Sequence, residues 1–320
     1  MLRFPRFLTI SVAAAGCLAL AACGSSGTSA SDSATHSAAP SAAAYPTQDV
    51  VSGISEDAKL HAELPASVRS SGTLTLGTTQ FTGTAGLPYA GEGTNGQAVG
   101  IQPDIENAVA QVLGVHWSTS YGTFDTIIPG VQNGRFEVGV DNFGVTAARE
   151  QVVDFSTYLS DGQSLLVPSS SSLSTVTSIT DLCGLTIGTG AGTTFQEILT
   201  KDAAKCAAAG KTPYKVDYFA DQAPIILGLE NGKLDVYFGP TLGVKYEAAH
   251  LPGLRFAGQF SQTPVGFVTD KGSALAPVLS AAVNELIADG EYAKILAKWG
   301  VATSGITQSQ VNPTGTGLLG

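Results

Sequence analysis

Charged side chains are scarce in this sequence of 320 residues, in which Asp, Glu, Lys and Arg together make up 13%, about half the usual share. Their balance is acidic, with a net charge of −10. A nucleic-acid-binding protein needs a basic surface to neutralise phosphates, so this class is excluded. Four Cys and four His are too few and too scattered for a zinc cluster, and we expect neither a metal nor a cofactor. The 43% of hydrophobic residues suffices for a globular core.

The sequence also lacks a hydrophobic run long enough to span a bilayer comfortably. The apolar run at residues 7–20 is short and follows two arginines, which is the layout of a secretory signal. It ends in Leu20-Ala-Ala-Cys23-Gly24, which resembles the lipobox of bacterial lipoproteins; the alternative is an ordinary signal with an incidental Cys. We therefore expect a signal peptide over residues 1–22. We also expect a lipid-modified Cys23 that holds the protein on the extracytoplasmic face of the cell membrane.

Cysteine usage fits an oxidising compartment. Cys17 would leave with the signal and Cys23 would carry lipid, so Cys183 and Cys206 remain as an even pair. We predict that these two form a disulfide. The alternative, a reactive thiol, has no nearby His or Cys-x-x-Cys motif to support it.

The remaining chain divides by composition. A Ser-, Ala- and Thr-rich stretch without hydrophobic periodicity predicts a disordered tether over residues 23–66, and a similar composition predicts a flexible tail over residues 303–320. Between them, short apolar runs alternate with segments of helical spacing, as in the helix predicted near residues 105–113, which Gly114 ends. This alternation predicts an α/β fold with mostly parallel sheets.

An internal repeat is the most informative pattern. Residues 127–138, Ile-Ile-Pro-Gly-Val-Gln-Asn-Gly-Arg-Phe-Glu-Val, match residues 225–236, Ile-Ile-Leu-Gly-Leu-Glu-Asn-Gly-Lys-Leu-Asp-Val. Each unit predicts a helix end, an Asn-Gly turn and a strand. The pair suggests two similar α/β lobes. Ligands of open α/β sheets bind beyond the carboxyl ends of strands, so the segments after each unit, residues 141–149 and 239–241, are candidate site segments.

The chain resembles the family 3 solute-binding proteins of ABC importers, of the polar amino-acid-binding type. The order and spacing of several motifs carry the resemblance: Gly72-Thr-Leu-Thr-Leu-Gly77, Phe124-Asp-Thr-Ile-Ile-Pro129, Thr146-Ala-Ala-Arg149, Val153-Asp-Phe-Ser156, Asp181-Leu-Cys-Gly184 and Lys298-Trp-Gly300. The resemblance implies a two-lobed periplasmic-binding-protein-like fold of type II, with the second lobe inserted in the first. We place the first lobe at residues 67–167 and 264–302, and the second at residues 168–263.

The same resemblance implies a set of ligand-binding residues. Arg149 matches the residue that grips the ligand's carboxylate, for which a planar guanidinium is suited; a surface Arg paired with Glu150 or Asp154 is the alternative. The other members are loop, helix-start and aromatic positions: Asp141, Asn142, Gly144, Thr193, Phe124, Phe81 and Tyr89. Core packing is the alternative role for Phe124.

Pro240 departs from the family pattern. It stands where an Asp normally pairs with the ligand's ammonium group, and Pro has neither a carboxylate nor an N–H. Either Asp141 supplies the charge from the other lobe, or the ligand is not a standard α-amino acid. Asp141 could equally be a turn-capping residue.

We therefore expect a lipid-tethered, monomeric, non-enzymatic binding protein. It would capture an amino acid, an amino-acid derivative or another small carboxylate for a membrane ABC permease, and it would not bind nucleic acid. One alternative is an exported enzyme resembling cyclohexadienyl or arogenate dehydratase, with Asp141 as general acid. The other is a pair of ligand-sensing lobes that serves a membrane receptor.

Overall fold

A computed structural model describes residues 45–84 and 86–313. Within these residues the chain forms ten β-strands: β1 Thr73–Thr79, β2 Gly91–Glu92, β3 Ala98–Val99, β4 His116–Gly122, β5 Val138–Gly139, β6 Val153–Pro168, β7 Thr186–Gly190, β8 Lys215–Phe219, β9 Val236–Pro240 and β10 Leu254–Asp270. The predicted signal peptide and Cys23 lie outside the described residues. Among the helices of the described part, none is long and apolar enough to cross a membrane.

Eleven α-helices of the described part alternate with these strands: α1 Ala58–Glu63, α2 Ala66–Ser71, α3 Ile101–Leu113, α4 Phe124–Gln132, α5 Ala147–Glu150, α6 Thr194–Lys201, α7 Ala204–Ala208, α8 Ala223–Glu230, α9 Thr241–His250, α10 Leu275–Ala288 and α11 Glu291–Lys298. Short 3-10 turns occupy Ile179–Leu182 and Ala302–Ser304. As predicted, α3 ends at Gly114, whose φ of 62° is in the left-handed region that glycine tolerates.

Eight of the strands form one sheet, in the order β4-β1-β5-β10-β6-β9-β7-β8. The pairs at each end are parallel, whereas β6 and β10 run antiparallel through the middle. We call β4, β1 and β5 with their helices the first lobe, and β9, β7 and β8 with theirs the second lobe. Helices on a largely parallel sheet confirm the predicted α/β, two-lobed fold.

Each lobe has its own hydrophobic core, and β6 and β10 connect them. Leu159 belongs to the core of the first lobe, but Leu165 and Val167 belong to that of the second. The first connection therefore precedes Val167, and the boundary predicted there is several residues late. The reason is that β6 is buried along nearly its whole length, so its sequence shows no change where it enters the second lobe. The second connection lies between Phe260 and Val265.

The folded part extends beyond both predicted limits. A tether through residue 66 is wrong for residues 45–66, because Asp57 caps α1 and Leu64 is buried in the core of the first lobe. A flexible tail from residue 303 is wrong as far as residue 313. Ser309 is buried, and Val311 forms a β-bridge with Ser156. Tertiary packing outweighs local composition in both segments.

The predicted disulfide is present. Cys183 and Cys206 are bonded, and Cys206 is fully buried. The bond ties the 3-10 turn at Ile179–Leu182 to α7 within the second lobe.

Candidate functional site

All nine residues predicted for the site line one cavity of about 150 Å³ between the lobes: Phe81, Tyr89, Phe124, Asp141, Asn142, Gly144, Arg149, Thr193 and Pro240. Both lobes contribute, because the carboxyl ends of β1, β5, β7 and β9 meet there. The roles of these residues in binding stay predictions. Sequence reasoning missed other residues of the wall, among them Thr79, Gln222 and Tyr237.

Arg149 joins the two lobes across the cavity. Helix α5 begins after Thr146, whose Oγ1 accepts a hydrogen bond from the Arg149 backbone N at 3.2 Å. The guanidinium donates to the carbonyl of Gly144 in the first lobe and to that of Gly192 in the second, both at 2.9 Å. It lies 5.7 Å from the ring centre of Phe124, an arrangement that favours a cation. Burial lowers the pKa of Arg149 to about 10, so the group stays charged at neutral pH.

The alternative role for Arg149, a surface residue paired with Glu150 or Asp154, does not hold. Oε1 of Glu150 is buried without a hydrogen-bond partner. Asp154 bonds instead to Lys271 Nζ at 2.7 Å and to Asn312 Nδ2 at 2.8 Å. A guanidinium with two backbone carbonyls still has N–H groups left, so Arg149 retains donors for a carboxylate in the cavity.

The second lobe approaches Arg149 with the start of α6. Thr193 caps this helix, since its Oγ1 accepts from the Gln196 backbone N at 3.2 Å and donates to the Gly190 carbonyl at 2.8 Å. At Gly192 the φ is 71°, and a Cβ there would lie 3.0 Å from Cβ of Asp125 in the first lobe. The lobes are thus closed against each other at a helix N-terminus, which favours an anion.

Aromatic rings form much of the remaining wall. Phe124 and Phe143 lie with ring centres 4.7 Å apart, and Phe124 also packs against the core of the first lobe. Both roles considered for Phe124, cavity wall and core packing, therefore describe its position. Phe81 packs closely under Gly86, where an added Cβ would lie 2.3 Å from the ring.

Asp141 is the second residue after β5 and is 5% exposed. Its Oδ2 is buried and has no hydrogen-bond partner. Burial raises the pKa of Asp141 to about 7, although hydrogen bonds from Thr79 oppose the shift. A turn-capping role would pair the carboxylate with backbone N–H groups of its own turn. The backbone N–H group that bonds to Asp141 belongs instead to Thr79 of β1, and Oδ2 stays free for a further partner.

Asp161, which the sequence analysis did not predict, accepts hydrogen bonds from groups of both lobes. Its Oδ2 accepts hydrogen bonds from the Tyr89 hydroxyl and from Asn142 Nδ2, the latter at 3.2 Å. Its Oδ1 accepts from the Leu242 backbone N at 3.1 Å, in the first turn of α9. Pro240 precedes that helix without a side-chain cap, so Asp161 supplies the cap from β6. Burial raises the pKa of Asp161 to about 6.

A second acid that the sequence analysis did not predict, Glu247, lies behind the cavity wall of the second lobe. Gln222 lines the cavity, and its Nε2 donates to Glu247 Oε1. Glu247 is 3% exposed, its Oε2 has no partner, and burial raises its pKa to about 8. An acid among apolar residues of α9 was the sequence signal, but only the fold places it beside Gln222.

Comparison with known proteins agrees with this geometry. Residues 82–302 match the family model of bacterial extracellular solute-binding proteins, family 3. The arginine-binding protein ArgT of Corynebacterium glutamicum is 25% identical over 257 residues, which are 79% of this chain and 83% of that protein. An ABC transporter arginine-binding protein of Escherichia coli is 25% identical over 219 residues, 66% of this chain and 86% of the relative.

Solved structures show the same fold. An ancestral arginine-binding protein bound to arginine has a TM-score of 0.63 and 30% identity, covering 71% of this chain and 98% of its own. An ancestral amino acid-binding protein described as a precursor of cyclohexadienyl dehydratase has a TM-score of 0.64 and 26% identity, covering 73% and 97%. On this match the chain belongs to the bacterial extracellular solute-binding proteins, family 3.

Proposed function

We propose that the protein captures a small carboxylate-bearing solute between its lobes and presents it to a membrane ABC permease. The position of Arg149 carries the proposal. Its guanidinium lines the closed cavity, is fixed by one carbonyl of each lobe, and retains N–H groups toward the space between Gly144 and the start of α6. A carboxylate bound there gains charge-assisted hydrogen bonds from the cation and the helix N-terminus.

The relatives support an amino acid or an amino-acid derivative as the ligand, since those named above bind arginine and another, from Bacillus subtilis, is a glutamine-binding protein of an ABC transporter. Pro240 offers no carboxylate to an ammonium group in this cavity. The unpaired oxygen of Asp141 instead offers a negative charge from the first lobe to a positively charged group of the ligand.

Isothermal titration calorimetry with a panel of amino acids and small carboxylates tests the proposal. We expect R149A to lose at least about 100-fold in affinity for any ligand found, because a charge-assisted pair in a closed cavity is lost. R135A is the matched control, since Arg135 also lies over a phenylalanine ring but outside the cavity. Near-normal affinity of R149A, with a melting curve like that of R135A, would refute the carboxylate site.

We further propose that Cys23 anchors the protein through lipid on the extracytoplasmic face, and that the tethered protein is a monomer. The motif Leu20-Ala-Ala-Cys23-Gly24 supports the anchor. C23S is expected to move the protein from the membrane fraction to the soluble fraction. Continued membrane retention of C23S, or the absence of a lipid mass on Cys23 of the wild type, would contradict the anchor.

A dehydratase remains the second candidate, because Asp141 is a buried acid of raised pKa in the cavity and such a group suits general acid catalysis. We expect binding without turnover. Incubation of the protein with prephenate and with arogenate, followed by chromatography of the products, decides between the two. Product formed by the wild type and abolished in D141N would establish the enzyme.

A further inference from the structure

Three carboxyl groups of the first lobe, those of Asp141, Glu106 and Glu150, each keep a buried oxygen atom without a partner. Two of them line cavities, Asp141 with its Oδ2 unpaired and Glu106 with its Oε1 unpaired. Asp141 lines the cavity between the lobes, whereas Glu106, on α3, lines a smaller cavity of about 80 Å³ behind it. Thr79 and Phe81 line both cavities, and the two acids are close enough for the charge of Asp141 to act on Glu106.

The side chains that donate hydrogen bonds to this acid pair are neutral, although charged residues line the same cavities: Arg149 and Asp221 that of Asp141, and Glu92 that of Glu106. Thr79 of β1 donates hydrogen bonds to Asp141, and Gln102 of α3 donates one to Glu106. From β6, the buried Tyr158 is within electrostatic range of both carboxyls. The salt bridges of the first lobe join other acids, such as Asp154 to Lys271. The pair therefore has polar contacts but no cation of the described part bonded to it.

An unpaired carboxylate removed from water is costly, and it takes up a proton unless a cation approaches. Burial raises the pKa of Asp141 to about 7 and that of Glu106 to about 8, and the charge of Asp141 adds to the shift of Glu106. A cation that entered the cavity beside Asp141 would stabilise the ionised form of both. The pair is thus arranged to respond to a cation rather than to an anion or a neutral group.

We propose that Asp141, with Glu106 behind it, binds the cationic side chain of the captured solute, so that the substrate class is cationic amino acids. The inference rests on the proposed function, because Arg149 takes the carboxylate at the other part of the same cavity. Asp141 contacts the ligand, and Glu106 acts through Asp141 as a positioning residue. Dicarboxylates are rejected by the same two acids, and neutral side chains leave them unpaired.

Arginine and citrulline test this inference, because they have nearly the same shape and differ in side-chain charge. Calorimetry with the full-length protein is expected to show tighter binding of L-arginine by about 10- to 100-fold, the range of a buried charge-assisted hydrogen bond. D141N is expected to reduce this ratio to about threefold or less, and E106Q to an intermediate value. D202N is the control, since Asp202 is also buried but pairs with Lys205 outside both cavities.

The possible failures are distinguishable. Citrulline or glutamate binding as tightly as arginine, while R149A still abolishes binding, overturns the cationic class and leaves the carboxylate site intact. Arginine binding that survives R149A overturns the proposed function itself. An arginine-to-citrulline ratio that D141N and D202N change equally would show that Asp141 acts only on stability, and it would overturn the assignment.

Proton release supplies a second readout. Arginine bound at pH 7 is expected to displace up to about one proton from the acid pair, whereas citrulline displaces none. Titrations in buffers of different ionisation enthalpy measure this number directly. D141N and E106Q should each lower it for arginine, and D202N should not. Equal proton release with arginine and citrulline would contradict a cation at Asp141.

Discussion

The two repeat units, residues 127–138 and 225–236, have nearly the same local structure in the two lobes. In each, an Asn ends the helix with nearly the same backbone angles, φ −94° for Asn133 and −95° for Asn231. The glycines after them have φ of 75° and 74°. A helix, a left-handed glycine and a strand are thus built twice from the same local signals.

The packing of the units also matches. The large side chain after each turn, Phe136 or Leu234, lies against a glycine of the neighbouring strand, Gly77 or Gly188. The segments at the ends of the strands differ. The first lobe continues into Asp141 and then Asn142, whereas the second continues into Gly239 and Pro240. The two lobes therefore share the packing of the repeat unit, but only the first lobe places a carboxylate, that of Asp141, at the end of its unit.

Raised carboxyl pKa values give the largest expected effect. Because the folded pKa of Asp141 is about 7 and its ordinary value is 3.8, the folded protein holds a proton that the unfolded chain releases. The free energy of unfolding of the ligand-free protein should therefore fall between about pH 4 and pH 7, by the order of a few kcal/mol. Urea unfolding at several pH values measures this. D141N should reduce the fall of unfolding free energy with pH. If the pH curves of D141N and the wild type were parallel, the raised pKa of Asp141 would be contradicted.

The glycine contacts of the two units give the next effect. An added Cβ would lie 2.3 Å from the ring of Phe136 at Gly77, and 2.5 Å from Cδ1 of Leu234 at Gly188. A buried ring moves less easily than the end of a leucine. We expect G77A to destabilise by about 3 kcal/mol and G188A by about 1 kcal/mol. Chemical unfolding measures the two losses of stability. Equal losses would contradict the expectation that the phenylalanine ring yields less than the leucine side chain.

A carboxylate at position 240 would make the second lobe resemble the family pattern. We expect P240D to raise, by about tenfold, the preference for an α-amino acid over its des-amino analogue, because an ammonium group gains a partner. Calorimetry with L-arginine and its des-amino analogue measures the ratio. An unchanged ratio would place the ammonium site elsewhere.

The smallest effect tests the likeness of the turns. Asn133 Oδ1 accepts from the Arg135 backbone N and Asn231 Oδ1 from that of Lys233, both at 3.1 Å. N133A and N231A should each cost about 0.5–1 kcal/mol of unfolding free energy. If the two costs differed by more than about 1 kcal/mol, the two Asn-Gly turns would not be equivalent.

The sequence predicts those parts of the molecule that local signals specify. The repeat and the end of α3 at Gly114 follow from spacing and turn chemistry. The bonded pair Cys183 and Cys206 follows from the even number of cysteines that remain in an oxidising compartment. The motif around Arg149 predicts a residue that the fold does place in the cavity. These features depend on neighbours along the chain, or on residue types with few possible partners.

Features that depend on register and burial escape sequence reasoning. Asp161 stands in β6 without any motif, and only the pairing of β6 with β9 brings it to the start of α9. Glu106 and Glu247 look like surface acids of helices until their unpaired oxygen atoms are known. Residues 45–66 have a composition close to that of a linker, and their place in the core is set by distant side chains.

The two carbonyl bonds of Arg149 have a consequence for how its variants are interpreted. The cation that is proposed to hold the ligand also holds Gly192 to the first lobe in a closed cavity. A substitution of Arg149 therefore changes both the affinity for the ligand and the closure of the two lobes. A dissociation constant measured for an Arg149 variant adds the loss of a ligand contact to a shift of the empty protein toward open forms. Small-angle scattering without ligand separates the two quantities.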